Sequence, residues 1–137
     1  ELKHVRILGP ERSATQIELA QTDCRNIGIK APVRSSGDTK GTPGVTLRGP
    51  NGTLTVPEGV MIADRHIHMT PAQAAAFGLA DGDRVKVKID GPKPGVMGGV
   101  LIRANDKCAL DFHIDTDDGN AFLLKQGQLV TVLGKEE

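Results

Sequence analysis

Asp81-Gly-Asp-Arg-Val-Lys-Val-Lys-Ile-Asp-Gly-Pro-Lys-Pro-Gly95 reads as one strand held between two turns. Asp81-Gly-Asp opens a turn, and Gly91-Pro-Lys-Pro-Gly95 makes the next one. Between them, Val85-Lys-Val-Lys-Ile89 alternates apolar and charged residues, the period of a strand buried on one face only. The same grammar recurs outward in both directions. Downstream, Val100–Arg103, Leu110–Ile114 and Gln128–Leu133 read as short strands. Upstream, Gly59 to Met69 is an extended run, and Thr46–Arg48 and Thr53–Val56 flank Gly49-Pro-Asn-Gly52 as a hairpin. Ser13–Leu19 alternates as a further strand, and Ser35–Gly44 is a loop by composition.

Helical signals are brief. Thr22–Ile27 is predicted as a short helix with Thr22 as its cap and Gly28 as its stop. Thr70 caps a second helix that starts with Pro71, runs through Ala76 and is closed by Gly78. A third is predicted near Asn120–Leu124. None is long enough to carry a crossover between parallel strands, which argues against a doubly wound sheet. Short strands with turns every eight to twelve residues predict a mainly β fold: two small β-barrels with short capping α-helices. The pattern changes character near Val60–Ala63, giving expected domains at residues 1–63 and 64–137. Units of that size lie near the lower limit for independent folding, so a shared interface is expected.

Composition excludes several functions. Apolar residues make up 38% and charged residues 25%, so the chain is neither disordered nor membrane-embedded. Lys plus Arg and Asp plus Glu balance at 17 each, which gives no electrostatic reason to bind nucleic acid or an anionic membrane. With no Trp or Tyr and three Phe, base-stacking platforms are absent too. Cys24 and Cys108 are far apart and neither has a Cys-x-x-Cys partner, which fits a reducing compartment. No apolar run approaches the roughly 18 residues that span a bilayer, and no signal-peptide pattern is visible. The expected location is the cytoplasm. Because position 1 is Glu rather than Met, a fragment, a processed product and a shortened chain are all compatible with the sequence.

The chemistry centres on histidine. His66 and His68 stand two apart in an extended run, so both rings point to one face and offer two nitrogens to a metal. His113, in Asp-Phe-His-Ile-Asp, completes three ligands if its strand lies beside theirs. Three imidazoles with an open position is a catalytic-zinc arrangement. By spacing alone, paired surface histidines and a hydrogen-bonded buried His113 are the commoner readings, and both stay open. Glu18 is a candidate oxygen ligand and Arg12 a guanidinium fork for phosphate. Arg34-Ser-Ser-Gly-Asp38 precedes a glycine-rich loop of the kind that can nest an anion. Arg65, Asp115 and Asp117 are candidates to orient ligands from behind.

Six segments in order carry a resemblance across almost the whole chain: Val5–Arg12, Thr15-Gln-Ile-Glu18, Gly28–Asp38, Leu47-Arg-Gly-Pro50, Ala63–Met69 and His113-Ile-Asp-Thr-Asp117. In these the chain resembles the PduL-type phosphate propanoyltransferases, phosphotransacylases of bacterial microcompartments and some acetate-forming bacteria. The resemblance implies an enzyme that moves a propanoyl or acetyl group between coenzyme A and inorganic phosphate to give acyl phosphate, as in propanediol degradation. It implies two zinc ions, with His66, His68 and His113 matching the ligands of one and Glu18 a ligand of the other. Arg12 matches the catalytic arginine that holds phosphate, and Ser36 a serine lining that site.

As partners it implies acyl-CoA or CoA and phosphate, and leaves open a homo-oligomer, microcompartment shell or cargo proteins, and a location inside the microcompartment. The family carries a further His-x-His motif, of the form Arg-His-Val-His-Leu-Ser, ahead of the matched part, and the 137 residues do not contain it. A partial active site and an open first barrel are therefore expected. Asp111 stands where glutamate is usual, and Asp118-Gly119 replaces Glu-Ala, a change expected to loosen the helix start that follows. The alternatives from other classes are a zinc-bound β-barrel binding module without activity and a metal-dependent hydrolase. Neither cysteine falls in a matched motif, so direct attack in a ternary complex is expected rather than an acyl-enzyme.

Overall fold

The computed structural model describes residues 1–9 and 11–136; Pro10, within the Val5–Arg12 motif, lies outside them. The chain divides into two compact units, Glu1–Ala63 and Asp64–Glu137, each with its own apolar core.

The first unit contains β1 (Ile17–Glu18), α1 (Gln21–Ile27), β2 (Val33–Arg34), β3 (Val45–Gly49), β4 (Gly52–Val56) and β5 (Val60–Ala63). β5 is central and pairs in parallel on both sides, Ile17 opposite Val60 and Val33 opposite Ile62. Its own residues are apolar throughout and Val60 and Met61 are fully buried, as expected for a strand flanked on both edges. β3 and β4 form the hairpin, with Thr46 opposite Thr55 and their hydroxyls 3.3 Å apart. α1 ends at Gly28, whose φ of 73° is the left-handed stop that glycine adopts without penalty. Its N-cap is Ala20, not Thr22, and no side chain caps it. The core is Ile17, Leu19, Cys24, Val56, Val60 and Ile62.

The second unit contains β6 (His66–Met69), α2 (Pro71–Ala76), β7 (Arg84–Ile89), β8 (Gly95–Ala104), β9 (Asp111–His113), α3 (Thr116–Phe122) and β10 (Thr131–Lys135). They form one five-stranded sheet in the order β10-β7-β8-β6-β9. β7 alternates strictly, with Val85, Val87 and Ile89 fully buried and Arg84, Lys86 and Lys88 exposed. α2 has the full capping box: Thr70 Oγ1 accepts from the Gln73 amide, and the Gln73 side chain accepts from the Thr70 amide. Such a cap contributes about 1 kcal/mol. Opposite β7, β8 carries a bulge between Met97 and Val100. Gly99 takes a positive φ there, and its amide donates to Glu136. Ile67, Met69, Ile102 and the inward face of β7 make the core.

The expected mainly β architecture is present. Among the described residues no closed barrel is found; the strands form sheets of three, five and two strands. Parallel pairing also occurs without any long helix, as between β6 and β8, because α2 and β7 together supply the crossover. β10 is shifted two to three residues beyond the expected Gln128–Leu133, since Gln128 is held in a turn by bonds to Lys125 and to the Asp90 carbonyl. α3 starts earlier than Asn120, at the cap provided by Asp115, whose carboxylate accepts from the Asp118 amide at 2.8 Å.

One ion pair ties the end of β10 to the turn before β7. Lys135 Nζ lies 2.6 Å from Asp83, whose other oxygen accepts from the Ala80 amide. The bond from Lys135, followed by that from Ala80, holds the Asp83 pKa below its ordinary value. The unfolded chain therefore takes up this proton first as pH falls. The stabilisation is present above the usual aspartate range and is lost as pH drops toward the depressed folded value. Thermal midpoints measured from pH 6 to pH 2 should fall more steeply in the parent than in Lys135→Met. Parallel curves would show that the pair contributes nothing.

Candidate metal centre

β6 lies between β8 and β9, and its register decides the site. His66 and His68 alternate with Ile67, whose side chain is in the core. β9 pairs antiparallel to β6 with His113 directly opposite His66, so its ring emerges on the same face. The three rings form a triangle with centroids 4.7, 4.8 and 5.0 Å apart. One ring nitrogen of each lies within 4.8 Å of the other two, close enough to hold one metal ion.

The surroundings fix which nitrogens are offered. His66 is 92% buried, and its Nδ1 lies 2.8 Å from the Asp64 carbonyl. A carbonyl only accepts, so Nδ1 carries the proton and Nε2 keeps its lone pair. His66 Nε2 and His68 Nε2 face each other at 3.1 Å. The Asp64 carboxylate is itself clamped by Arg84, at 2.6 Å from Nη2 and 3.4 Å from Nη1, so the backbone that orients His66 is anchored in turn. Burial, then the neighbouring His66, His113 and Arg103, lower the His68 pKa, with Asp111 opposing them. The lowering favours the neutral form of His68, the form in which imidazole binds a metal. His113 Nε2 lies 3.1 Å from Asp111 Oδ2.

Sequence reasoning missed several participants. Cys108 Sγ lies 3.1 Å from His68 Nδ1, brought there by the turn in which the Cys108 amide bonds to the Asn105 carbonyl. Arg103 is placed beside His68 by the parallel β6–β8 register. Neither has a sequence signature, because both depend on strand pairing. Conversely, Arg65 does not serve the histidines: its guanidinium bonds Asp118 at 2.9 Å and the Gly98 carbonyl at 3.3 Å, linking β8 to α3. Burial of Asp118 outweighs this neighbouring cation, so its pKa is raised. Asp115 is occupied as the cap of α3. Cys24 is fully buried in the first unit's core.

Within the first unit, Arg12, Ser36 and Glu18 are joined through Gln16. Arg12 Nη1 donates to Ser36 Oγ at 2.9 Å, and Gln16 Nε2 donates to Ser36 Oγ at 2.9 Å and to Glu18 Oε1 at 2.5 Å. The Gly37 amide donates to Gln16 Oε1 at 2.7 Å. Beside them lies a cavity of about 340 Å³ lined by Arg12, Ser13, Ala14, Gln16, Gly37 and Thr39.

Comparison with known proteins gives a consistent result. A sequence model of the phosphate propanoyltransferases matches residues 1–125. The chain is 47% identical over 133 residues to the phosphate propanoyltransferase of Thermotoga maritima, covering 96% of this chain and 63% of that protein. It is 45% identical over 132 residues to that of Lachnoclostridium phytofermentans, covering 96% and 62%. Against that of Salmonella typhimurium it is 48% identical over 122 residues, covering 88% and 58%. The chain thus spans somewhat less than two thirds of the length of these relatives. A family match that takes in both units, the His66-Ile-His68 strand and its partner His113 alike, means that the chain belongs to the phosphate propanoyltransferase family.

Proposed function

We propose that this chain carries out, or forms the larger part of an enzyme that carries out, acyl transfer between coenzyme A and inorganic phosphate, with propanoyl or acetyl as the acyl group. The observation that carries the reading is the three-histidine face of β6 and β9 in a chain of this family. The donor set fits zinc. The 3.1 Å between the two Nε2 atoms is close to the edge of about 3.3 Å expected for nitrogens roughly 2.05 Å from a tetrahedral zinc. His66, His68 and His113 would hold that ion, and Glu18 would serve a second. Zinc, when bound, supplies Lewis acidity toward an oxygen or sulfur of the reacting groups. The closed two-barrel form belongs to the same reading.

The chain's own groups do the rest. Asp64 and Cys108 fix the ring orientations of His66 and His68 from behind. Arg12 and Ser36 hold phosphate so that one of its oxygens is presented to the thioester carbonyl carbon. The new C–O bond gives acyl phosphate, the C–S bond breaks, and the sulfur leaves with the electron pair as CoA thiolate. No acyl-enzyme is required, and Cys24, fully buried, is no candidate for one.

Thiol release from acetyl-CoA or propanoyl-CoA tests this, with and without phosphate, in the parent and in His68→Ala. Phosphate-dependent release that falls more than about 100-fold in the variant is expected. Release that ignores phosphate would indicate a hydrolase, and absence of turnover a binding module.

A further inference from the structure

We infer that Gln16 is a positioning residue whose side-chain amide forces the Ser36 hydroxyl to act as a donor toward a bound oxyanion, inorganic phosphate under the function proposed above, on which this inference rests.

The argument is one of lone pairs and protons. The Gly37 amide can only donate, and it points at Gln16 Oε1 from 2.7 Å. That bond fixes which end of the Gln16 amide is oxygen, so the other end is the NH₂ group. Its two protons go to Ser36 Oγ at 2.9 Å and Glu18 Oε1 at 2.5 Å. Arg12 can only donate as well, and its Nη1 lies 2.9 Å from the same Ser36 oxygen. Both lone pairs of Ser36 are therefore filled by protons from Gln16 and Arg12. Its own hydroxyl proton has no remaining role but to be donated.

A serine in this state rejects donors and accepts only a ligand with lone pairs. An oxyanion supplies them, and the Arg12 charge beside the 340 Å³ cavity favours one. Gln16 also donates to one oxygen of the Glu18 carboxylate. One amide thus serves a hydroxyl and a carboxylate at once.

Gln16→Glu tests this because it preserves the acceptor for the Gly37 amide while replacing a donor to Ser36 with a second acceptor. Inorganic phosphate binding is measured by calorimetry on the parent, Gln16→Glu, Ser36→Ala and the double variant, alongside thermal melts. Each single change should weaken phosphate about 10-fold or more. The effect of Gln16→Glu should shrink markedly in the Ser36→Ala background, since its target is gone.

In the transfer assay, KM for phosphate should rise while KM for acyl-CoA stays within about twofold. Additive effects, or an unchanged phosphate affinity in a folded Gln16→Glu variant, would overturn the inference and leave the transferase reading standing. Phosphate binding with the expected coupling but without turnover would uphold the inference while the transferase reading fails. Absence of phosphate binding in the parent would overturn it as well.

Discussion

Replacing His68 with alanine is expected to weaken zinc binding by this chain more than about 100-fold, with His4→Ala unchanged. Loss of an outer partner of a metal ligand already costs roughly 10–100-fold, and His68 is a proposed ligand itself. Its Nε2 also faces that of His66 at 3.1 Å. Its removal leaves two rings whose centroids are 5.0 Å apart. The second unit should still fold, because the His68 side chain lies on the face opposite the core residues Ile67 and Met69. Competition with a chromogenic chelator measures the affinity, and circular dichroism checks the fold. Affinity within threefold of the parent would place the bound metal away from this face.

The second large effect is predicted in the first unit, at Gly59. Its φ is 137°, and a Cβ there would lie 2.5 Å from the Thr15 carbonyl oxygen. Gly59 also accepts the Ile17 amide at 2.9 Å, the first bond joining β1 to β5. Gly59→Ala therefore combines an unfavourable backbone region with a backbone clash, and should destabilise the unit by about 2–5 kcal/mol. Gly28→Ala separates the two causes. Its φ is also positive, at 73°, but nothing lies within 4 Å of an added Cβ, so only the left-handed cost of about 1–2 kcal/mol applies. Amide exchange at Ile17 and Leu19, whose amides bond to the Gly59 and Met61 carbonyls, reports the loss directly. Equal destabilisation by the two variants would show that the clash is relieved by movement of residue 15.

Where the physics is local, the sequence was sufficient. The β3–β4 hairpin, the Thr70 cap of α2, and the alternation of β7 each depend on residues within a few positions of one another, and each stands where its pattern lies. Pairing between distant segments was not legible. Ser13–Leu19 alternates over seven residues, yet only Ile17–Glu18 are strand. The Gln16 amide is instead committed to Ser36, Glu18 and Gly37 through side-chain bonds that no periodicity encodes. α3 starts ahead of its predicted position because the carboxylate of Asp115, a candidate for orienting ligands, caps the helix instead. For the site, the His66/His68 spacing announced a shared face, but the meeting with His113 depends on the β6–β9 register. The proximity of Cys108 to His68 depends on a turn some forty residues downstream.

Strand β6 also acts as a ruler. Because His66 and His68 are separated by one residue whose side chain is sunk in the core, the span between their backbones is set by two residue rises, about 6.6 Å. The backbone beneath the first pair of candidate donors is therefore spaced by an extended strand, rather than by a loop that could open or close around larger ions. Adaptation to a different ion would have to come from β9, a three-residue strand at the edge of the sheet. A slip of one position there would carry His113 to the opposite face and bring Phe112 or Ile114 to the metal side. Any selectivity among ions at this candidate centre would thus be divided between a rigid jaw and an adjustable one.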